Sequence, residues 1–288
     1  MRAALVGDGI AASLTPAMHE AEGAAQGMAY RYERYDTATK PWNARTLAEI
    51  LEHAESEGLC GLNVTHPHKT RVGACLDALE GPAGELGTVN TVVLRDGKRI
   101  GHTTDYSGFA MALDQRELSV RGARIIQFGA GGAGAATALA LLDAGAAVTL
   151  VDTAAERASA LAARLGRVRP DAPVTVMPPD KVDPSQAEGA LNATPIGMKA
   201  YPGMPFDPAH LPVGAWVADI VYFPLETALI RRASDLGMTV MNGGAMAVYQ
   251  AVTAFELLTG HAANADRMQR HFQTLIDRQN LDQGQSVA

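Results

Sequence analysis

The stretch IIQFGAGGAGAATALALLDAGAAVTLVD, residues 125–152, decides the fold class of this chain. It reads as an apolar strand, a glycine-rich turn, an alanine-rich helix and a second apolar strand, which is the order of a βαβ unit. Gly129, Gly131 and Gly134 fit the pattern G-x-G-x-x-G. The first glycine of that pattern allows a tight turn, the second lets a pyrophosphate approach the backbone, and the third lets the helix pack closely on the strand. The stretch therefore predicts a dinucleotide-binding unit in a parallel sheet.

Asp152 ends the second strand of this unit, and two roles are open to it. A short acidic side chain can cap the following helix by accepting a hydrogen bond from an amide of its first turn. In a dinucleotide site, the same carboxylate accepts hydrogen bonds from the ribose hydroxyls of NAD and repels the 2′-phosphate of NADP. No arginine stands at 153 or 154 to hold that phosphate, and Arg157 and Arg164 are expected on helix faces further along. The sequence therefore predicts NAD as the cofactor.

The composition of the chain excludes several classes of protein. Its 288 residues are 47% hydrophobic and 19% charged, which suits two α/β domains and argues against a disordered chain. The formal net charge of −7 gives no basic surface for a nucleic-acid backbone. The two cysteines, Cys60 and Cys75, make neither a disulfide framework nor a metal-ligand cluster, and they fit a reducing compartment. We therefore expect no nucleic-acid partner and no bound metal.

The hydropathy pattern gives no sign of a membrane or secretory segment. The N-terminal MRAALVGDGI reaches glycine and aspartate too early for a signal-peptide core, and no apolar run approaches the roughly 20 residues that span a bilayer. We expect a soluble cytoplasmic protein with no membrane partner. The sequence leaves the oligomeric state open, a homo-oligomer included.

Strand-like and helix-like runs alternate ahead of the glycine turn, which indicates an α/β domain there as well. The predicted strands are RAALV (2–6), AYRYERY (29–35), LCGLNV (59–64) and VNTVVLR (89–95). The pair Asp96-Gly97 predicts a tight hairpin after the last of them. Helices are expected at about 16–26, 42–57 and 68–79, the first of them opened by Pro16.

The second half of the chain continues the alternation and then turns helical. Six candidate strands lie between 124 and 242, and two helices follow over 245–280. We predict a two-domain α/β fold in which the C-terminal helices return to the first domain. The substrate-binding domain would comprise 1–106 and 244–288, and the Rossmann domain 107–243.

Lys69 and Asp105 are the candidates for proton transfer in the first domain. Lys69 closes NVTHPHK (63–69) and Asp105 closes GHTTD (101–105), each just after a predicted strand. The carboxyl ends of parallel strands share one edge of a sheet, so the two side chains could meet there. A lysine beside an aspartate can pass a proton to or from a substrate hydroxyl. The alternative is a surface ion pair, which is worth under ~1 kcal/mol.

Eight motifs in order along the chain carry a more specific signal. They are SLTPAMHE (13–20), GLNVTHPHK (61–69), GTVNT (87–91), GHTTDYSG (101–108), FGAGGAG (128–134), NATPIGM (192–198), DIVYFPLET (219–227) and GGAMAVYQAVTAFELLTG (243–260). In this combination the sequence resembles the shikimate and quinate dehydrogenase family over nearly its whole length. The resemblance implies a reversible oxidation of a polyhydroxylated cyclohexane or cyclohexene acid with a nicotinamide cofactor.

The resemblance also implies roles for individual residues. Lys69 and Asp105 would form the catalytic pair. The carboxylate and ring hydroxyls of the substrate would be bound by Ser13, Thr15, Thr65, Asn90 and Gln250, with Tyr222 closing the site. The dinucleotide would be bordered by Gly129, Ala130, Gly131, Gly132, Ala133, Asp152, Ile220 and Gly243. Buried ring hydroxyls need such donors and acceptors, because an unpaired one is costly.

Local structural roles remain open for several of these polar residues. Ser13 and Thr15 can instead cap the helix that Pro16 opens. Asn63 and Asn192 could have only a structural role in turns, because asparagine readily forms hydrogen bonds with its own local backbone. His19, His66 and His68 lack an ordered set of partners in the sequence, and we expect them to be structural or exposed.

The chain departs from the NADP-dependent biosynthetic members in three places. They typically carry Asn-Arg-Thr where this chain has Asp152-Thr153-Ala154, and a serine where it has Thr15. Thr103 replaces the asparagine usual before Thr-Asp. In the first two departures the chain resembles the NAD-dependent quinate/shikimate dehydrogenases of quinate catabolism.

These departures lead to a specific hypothesis with two alternatives. We expect NAD-dependent oxidation of quinate or shikimate at the C3 hydroxyl, giving 3-dehydroquinate or 3-dehydroshikimate. The nearer alternative is a biosynthetic shikimate dehydrogenase, which reduces 3-dehydroshikimate on the route to aromatic amino acids. The other is a non-catalytic sensor of NAD or of the acid on the same scaffold. The preference between quinate and shikimate stays open.

Overall fold

The computed structural model describes residues 1–116 and 118–282 and divides the chain into two compact units. The first unit comprises Met1–Thr104 and Val248–Ala288, and the second comprises Asp105–Ala247. Positions 283–288 of the predicted first domain lie outside the described residues. None of the helices in the described part of the chain is long and apolar enough to cross a membrane.

Strands and helices alternate through both units. The strands are β1 (Arg2–Gly7), β2 (Arg31–Asp36), β3 (Gly61–Val64), β4 (Ala78–Leu79), β5 (Thr91–Arg95), β6 (Lys98–His102), β7 (Arg124–Phe128), β8 (Ala147–Val151), β9 (Val174–Met177), β10 (Gly189–Asn192), β11 (Trp216–Asp219) and β12 (Thr239–Met241). The α-helices are α1 (Thr15–Ala25), α2 (Leu47–Ser56), α3 (Pro82–Leu86), α4 (Thr104–Gln115), α5 (Gly132–Asp143), α6 (Ala155–Val168), α7 (Ala228–Asp235), α8 (Gly244–Thr259) and α9 (Ala265–Asp282). This confirms the predicted α/β fold class.

The first unit holds a mixed sheet in the order β2-β1-β3-β5-β6-β4. The pairs β1–β2, β1–β3 and β4–β6 are parallel, whereas β5 is antiparallel to both β3 and β6. The carboxyl ends of β1, β3 and β6 and the amino end of β5 therefore share one edge. The register pairs Asn63 with Thr91 and Thr91 with His102, so the segments that follow β3 and β6 leave the sheet side by side.

The second unit holds a fully parallel sheet in the order β12-β11-β10-β7-β8-β9. All six strands predicted between 124 and 242 are present. The chain leaves β7 toward β8 on one side and later returns to β10 on the other, which is the strand order of doubly wound dinucleotide-binding folds. The switch point lies at the carboxyl ends of β7 and β10, and the glycine-rich turn follows β7 directly.

Local sequence chemistry explains where several elements begin and end. The β5–β6 hairpin turns on Asp96 and Gly97, with φ of 52° and 70°, the positive values that a two-residue hairpin turn of this type requires. The helix expected over 42–57 starts only at Leu47, because Thr46 and Glu49 form a capping box there. A short 3₁₀ segment, Trp42–Ala44, precedes it.

The helix expected at 68–79 is wrong. The chain instead forms a 3₁₀ turn, Val72–Cys75, and then the short strand β4. The backbone amides of Asp77 and Glu80 donate to carbonyls of Arg99 and Gly101, both at 2.9 Å, so pairing with β6 satisfies them in place of helical bonds. Tertiary pairing overrides the helical pattern of the sequence here.

Apolar side chains cover both faces of the first sheet. One face packs Ile50, Leu51 and Ala54 of α2 against Leu62, Val64 and other strand residues. The opposite face packs Phe255 and Leu258 of α8. The C-terminal helix α9 is bound to α1 by an ion pair between the buried Glu22 and the partly exposed Arg267, in which Glu22 accepts two hydrogen bonds at 2.7 and 2.5 Å. The C-terminal helices thus return to the first unit, as predicted.

Candidate functional site

The three glycines of the turn after β7 each meet a different steric demand. Gly129 has a φ of 102°, and a Cβ there would lie 2.6 Å from the backbone of Ala193. A Cβ on Gly134 would lie 2.4 Å from the Gly129 carbonyl oxygen, so only glycine lets α5 come this close to the strand. A Cβ on Gly131 would meet nothing within 4 Å. The second glycine therefore faces open space, as the approach of a pyrophosphate requires.

The amino terminus of α5 adds hydrogen-bond donors to this turn. The helix begins at Gly132 with Gly131 as its N-cap, and no side chain caps it. Within the described residues, the backbone amides of Gly132 and Ala133 have no hydrogen-bond acceptor. Free amides at the positive end of a helix dipole attract an anion. The residues predicted to border a dinucleotide phosphate are thus brought together in one cradle.

Asp152 lies beside this cradle at the end of β8, and its side chain is only 6% exposed. Its Oδ2 accepts a hydrogen bond from the Ala130 amide at 2.8 Å, and its Oδ1 accepts one from the Ala154 amide at 2.9 Å. The next helix, α6, has Ala154 as its N-cap and no side-chain cap. Asp152 therefore does not cap that helix but holds the glycine-rich turn.

Arg157 contacts Asp152, which the sequence did not predict. It lies in the first turn of α6, as expected of a helix face, but its Nη1 reaches back to 3.3 Å from Asp152 Oδ2. The guanidinium side chain is 57% exposed. The only sequence signal for this pair is a cation one helical turn after an acid that ends a strand. Its consequence is a cation beside the carboxylate that is predicted to select the dinucleotide.

A second polar cluster lies at the carboxyl ends of β10 and β11. The buried carboxylate of Asp219 accepts hydrogen bonds from Asn192 Nδ2 at 2.9 Å, the Val221 amide at 2.9 Å and the Thr227 hydroxyl at 2.7 Å. Burial raises the pKa of Asp219 to about 6, against these three hydrogen bonds, which favour the charged form. The cluster fixes the segment that leaves β11 and leads to Tyr222.

Ile220 and Gly243, both predicted at the dinucleotide, are neighbours in the second unit. A Cβ on Gly243 would lie 2.4 Å from the Ile220 carbonyl oxygen, so the two backbones are in contact. Asn192 partly plays the turn role left open for it, because its Oδ1 accepts hydrogen bonds from the Thr194 amide at 2.9 Å and the Thr194 hydroxyl at 2.7 Å. Its amide nitrogen meanwhile joins the Asp219 cluster.

In the first unit, Thr65, Asn90, Thr104 and Gln250 form what we call the polar edge. Asn90 precedes β5 and is buried, and its Nδ2 donates to the Thr104 hydroxyl at 3.0 Å. The side-chain Oδ1 of Asn90 accepts a hydrogen bond from the Thr104 amide at 2.6 Å. The Thr104 hydroxyl donates in turn to Gln250 Oε1 at 3.5 Å. Thr65 follows Val64, whose amide donates to the Asn90 carbonyl at 2.8 Å, which places it on the same edge.

Asn63 lies beneath the polar edge and has a structural place. Its Nδ2 donates to Thr91 Oγ1 at 2.8 Å, and its Oδ1 accepts a hydrogen bond from the Tyr32 hydroxyl. Thr104 was absent from the predicted site residues although it is 1% exposed and bonds both Asn90 and Gln250. The signal that pointed to it was its place directly before Asp105 in GHTTD.

Ser13 and Thr15 stand where the chain enters α1, and they do not cap that helix. The helix begins at Thr15 with Leu14 as N-cap and no side-chain cap. Ser13 Oγ accepts only a long hydrogen bond, 3.4 Å, from the Thr15 amide. Both residues are half-buried. The capping alternative is therefore wrong for this structure.

Lys69 and Asp105 lie in different compact units by the boundary after Thr104. Lys69 is half-buried in the segment between β3 and the Val72–Cys75 turn, where its carbonyl accepts the Val89 amide at 2.8 Å. Asp105 is 5% exposed in the first turn of α4. Their catalytic pairing stays a prediction.

Of the three histidines expected to be structural or exposed, His19 and His68 are buried and His66 is exposed. His19 is fully buried, which lowers its pKa to about 3, and its Nδ1 lies 3.4 Å from the Tyr30 hydroxyl. His68 Nε2 lies 2.7 Å from the Thr37 hydroxyl. Across residues 1–116 and 118–282, no group of three or more His, Cys, Asp or Glu side chains is arranged to hold a metal ion.

Comparison with known proteins places this geometry among its relatives. Residues 5–92 match the family model of the shikimate dehydrogenase substrate binding domain. The chain is 46% identical over 275 residues to a shikimate dehydrogenase (NADP(+)) of Pseudarthrobacter chlorophenolicus, covering 94% of both chains. It is 42% identical to a quinate/shikimate dehydrogenase (NAD(+)) of Corynebacterium efficiens, covering 94% of this chain and 97% of the relative. The structure of quinate dehydrogenase from Corynebacterium glutamicum in complex with NAD matches it with a TM-score of 0.90 at 39% identity, over 95% of this chain and 99% of that one.

Proposed function

The chain belongs to the shikimate and quinate dehydrogenase family, and we propose that within this family it is an NAD-dependent oxidoreductase that oxidises quinate, shikimate or both at the C3 hydroxyl. Membership of the family supports shikimate/quinate dehydrogenase activity with a nicotinamide dinucleotide for this chain. The observation that carries the finer proposal is the buried carboxylate of Asp152, held beside the glycine-rich turn by the amides of Ala130 and Ala154.

The residues of the second unit suit a dinucleotide. Gly129, Gly131 and the amides of Gly132 and Ala133 would hold the pyrophosphate, with Ala130 in the same turn. NAD, when bound, supplies the acceptor for the hydride that leaves the substrate carbon. Ile220 and Gly243, whose backbones are in contact, would border its other end together with Tyr222.

Asp152 supports NAD over NADP. Each of its oxygens already accepts one backbone hydrogen bond and retains acceptor capacity for a ribose hydroxyl. A 2′-phosphate would meet a buried carboxylate at that place. Arg157 at 3.3 Å reduces that repulsion. Because the similar relatives carry both NAD(+) and NADP(+) in their names, this local chemistry carries the choice.

The polar edge of the first unit would bind the acid substrate. Asn90 and Gln250 present amide groups, and Thr65 presents a hydroxyl. Ser13 and Thr15, whose hydroxyls do not cap α1, would bind the carboxylate. A buried site of this kind requires matching hydroxyls on its ligand, because a polar group left unpaired there is costly.

Lys69 would carry the proton in the reaction. Its Nζ would take the proton from the C3 hydroxyl as the hydride departs, and Asp105 would orient and support the ammonium group. General acid–base groups contribute about 10²- to 10⁴-fold to a rate. The reverse reaction would return the proton from Lys69 to the carbonyl oxygen.

One assay separates this proposal from its two alternatives. Purified full-length protein is given quinate or shikimate, each with NAD or NADP, and NADH or NADPH formation is followed by absorbance. We expect kcat/KM to favour NAD by about tenfold or more, because the Asp152 carboxylate repels the 2′-phosphate; tenfold corresponds to ~1.4 kcal/mol. Turnover of shikimate alone with NADP would favour the biosynthetic alternative. Binding of a dinucleotide without turnover of either acid would favour the sensor.

The cellular setting is proposed on composition. Two cysteines, both free, fit a reducing compartment, and we expect the reaction in the cytoplasm. Catabolic and biosynthetic directions use the same reversible chemistry, so the identity of the substrate separates them: turnover of quinate in the assay above would support a role in quinate catabolism.

A further inference from the structure

Gln127 is a polar residue near the carboxyl end of the strand β7, between Ile126 and Phe128, and it is fully buried. Its Nε2 donates to the carbonyl of Gly129 at 2.9 Å and to the carbonyl of Gly134 at 2.7 Å. Its Oε1 accepts a hydrogen bond from the Thr137 hydroxyl at 2.9 Å. A buried amide costs free energy unless it is hydrogen-bonded. Here both amide hydrogens and the oxygen are engaged, all with the glycine-rich turn or α5.

The first contact fixes one peptide of the turn from two sides. The carbonyl of Gly129 accepts from Gln127, and the amide of the same peptide, on Ala130, donates to Asp152 Oδ2 at 2.8 Å. The C=O and N–H of a planar trans peptide point in opposite directions. Gln127 and Asp152 therefore hold opposite edges of one peptide plane.

The peptide needs such a restraint because glycine does not supply one. Gly129 has a φ of 102°, a region that glycine enters with little intrinsic preference for a single conformation. A rotation of the plane would break the bonds to both Gln127 and Asp152. One of the two backbone hydrogen bonds to the Asp152 carboxylate, the one from Ala130, is thus linked through this peptide to Gln127.

The second contact ties the turn to the helix. Nε2 of Gln127 lies within 3.3 Å of the position that a Cβ on Gly134 would take, so the side-chain amide fills the angle between strand and helix. Gly134 lies in the first turn of α5, the turn whose free amides face the proposed pyrophosphate. Gln127 thereby sets the spacing between the Gly129 turn and those amides.

We propose that Gln127 is a positioning residue of the dinucleotide site, acting through the Gly129–Ala130 peptide on Asp152 and through Gly134 on the start of α5. The inference rests on the dinucleotide role of this turn but not on the choice between NAD and NADP. Gln127 acts from beneath the turn, so its loss should weaken dinucleotide binding and leave binding of the acid substrate unchanged.

Two variants of Gln127 test the inference in the full-length protein. Gln127→Leu keeps the size and removes all three hydrogen bonds, and Gln127→Glu keeps the shape but faces two carbonyls with a carboxylate. By calorimetry with NAD and with NADP, we expect Kd to rise about tenfold in the leucine variant and further in the glutamate variant. KM for quinate and for shikimate should stay within about twofold. A residue that only filled space would show neither this order nor this split.

A matched control separates positioning from general destabilisation. Glu22→Gln weakens a buried polar network in the first unit, where Glu22 accepts from Arg267, Gln26 and the Asn264 amide. It should lower Tm by several degrees and leave the Kd of both dinucleotides unchanged. If a Gln127 variant and Glu22→Gln lose a similar amount of Tm but only the Gln127 variant has a raised Kd, the rise in Kd is not caused by general destabilisation.

The outcomes decide the matter in each case. A folded Gln127→Leu protein that binds both dinucleotides within twofold of the natural protein overturns the inference, as does an equal rise of Kd in Glu22→Gln.

If Gln127→Leu does not fold, Thr137→Val replaces it, because it removes the hydroxyl that donates to Gln127 Oε1. Thr137→Val should raise Kd about two- to threefold, and no change would contradict the inference. A natural protein that binds neither NAD nor NADP would overturn this inference together with the proposed function. If the natural protein binds a dinucleotide and the Gln127 variants bind it equally well, only this inference is overturned.

Discussion

The glycine-rich turn of the second unit and the polar edge of the first unit both place polar groups at the ends of strands, but they are assembled differently. The turn, its helix and Asp152 come from one continuous stretch, 125–152, with Gln127 and Arg157 within or just beyond it. The polar edge combines segments after β3, before β5 and after β6 with a residue of α8. A site built locally can be predicted from its spacing, whereas one built from distant segments depends on the register of the sheet.

The largest effect is expected for Lys69 in the first unit. Lys69→Ala should lower kcat about 10²- to 10⁴-fold, because it removes the group that takes the hydroxyl proton. The Kd for NAD should stay the same, since that site lies in the second unit. Steady-state kinetics and calorimetry measure the two quantities, and Lys98→Ala, an exposed lysine on β6, is the matched control. A Lys69→Ala enzyme with near-natural kcat would remove Lys69 from the reaction.

Substitutions of Gly129 and Gly131 should affect different properties, the first the stability of the protein and the second its binding of NAD. Gly129→Ala would force a Cβ to 2.6 Å from the Ala193 backbone at a φ of 102°, and we expect a loss of several kcal/mol in the free energy of unfolding. Gly131→Ala adds a methyl into open space at a φ of −76°. Its Tm should be unchanged while its Kd for NAD rises about tenfold, because the methyl lies where the pyrophosphate approaches. Equal Kd values for Gly131→Ala and the natural protein would move the phosphate elsewhere.

Asp152 tests whether the local site selects its own cofactor. Asp152→Asn removes the charge and keeps one acceptor oxygen, while its NH2 group faces one of the two backbone amides that the carboxylate binds. Because the charge is lost, the ratio of kcat/KM for NAD to that for NADP should fall about tenfold. Asp180→Asn, at an exposed acid of the same unit, should leave the ratio unchanged. An unaltered ratio in Asp152→Asn would shift the selection to another group, with Arg157 the nearest.

The smallest effect concerns stability in the first unit. Burial alone would raise the pKa of Glu22, but hydrogen bonds from Arg267, the Asn264 amide and Gln26 lower it. A carboxyl whose pKa is lowered by folding stabilises the protein above its unfolded value, near 4.5, and loses that contribution as pH falls through the folded value. Glu22→Gln should therefore cost about 1–3 kcal/mol at pH 7 in urea unfolding, with the difference narrowing below pH 4.5. A difference that does not depend on pH would contradict the ion pair as its cause.

The contrast between the two sites explains what could be predicted from the sequence. The strands and the glycine-rich turn of the second unit follow from local periodicity and the glycine pattern, and the position of Asp152 beside the turn follows from its place after β8. The helix expected at 68–79 failed because β4 pairs with β6, a contact between segments far apart in sequence. The contact of Arg157 with Asp152 was missed because the position of a residue on a helix does not determine the direction of a long side chain. The hydrogen bonds of Thr104 and Gln127 were missed because the sequence does not show which partners a polar residue at a helix start or within an apolar strand will have.

The most direct measurement is a crystal structure of the full-length protein with bound NAD. We expect the pyrophosphate on the amides of Gly131, Gly132 and Ala133, and the adenosine ribose hydroxyls within hydrogen-bond distance of the Asp152 carboxylate. Gln127 should keep its bonds to Gly129 and Gly134. A pyrophosphate away from the start of α5, or a ribose that makes no contact with Asp152, would contradict the proposed NAD site.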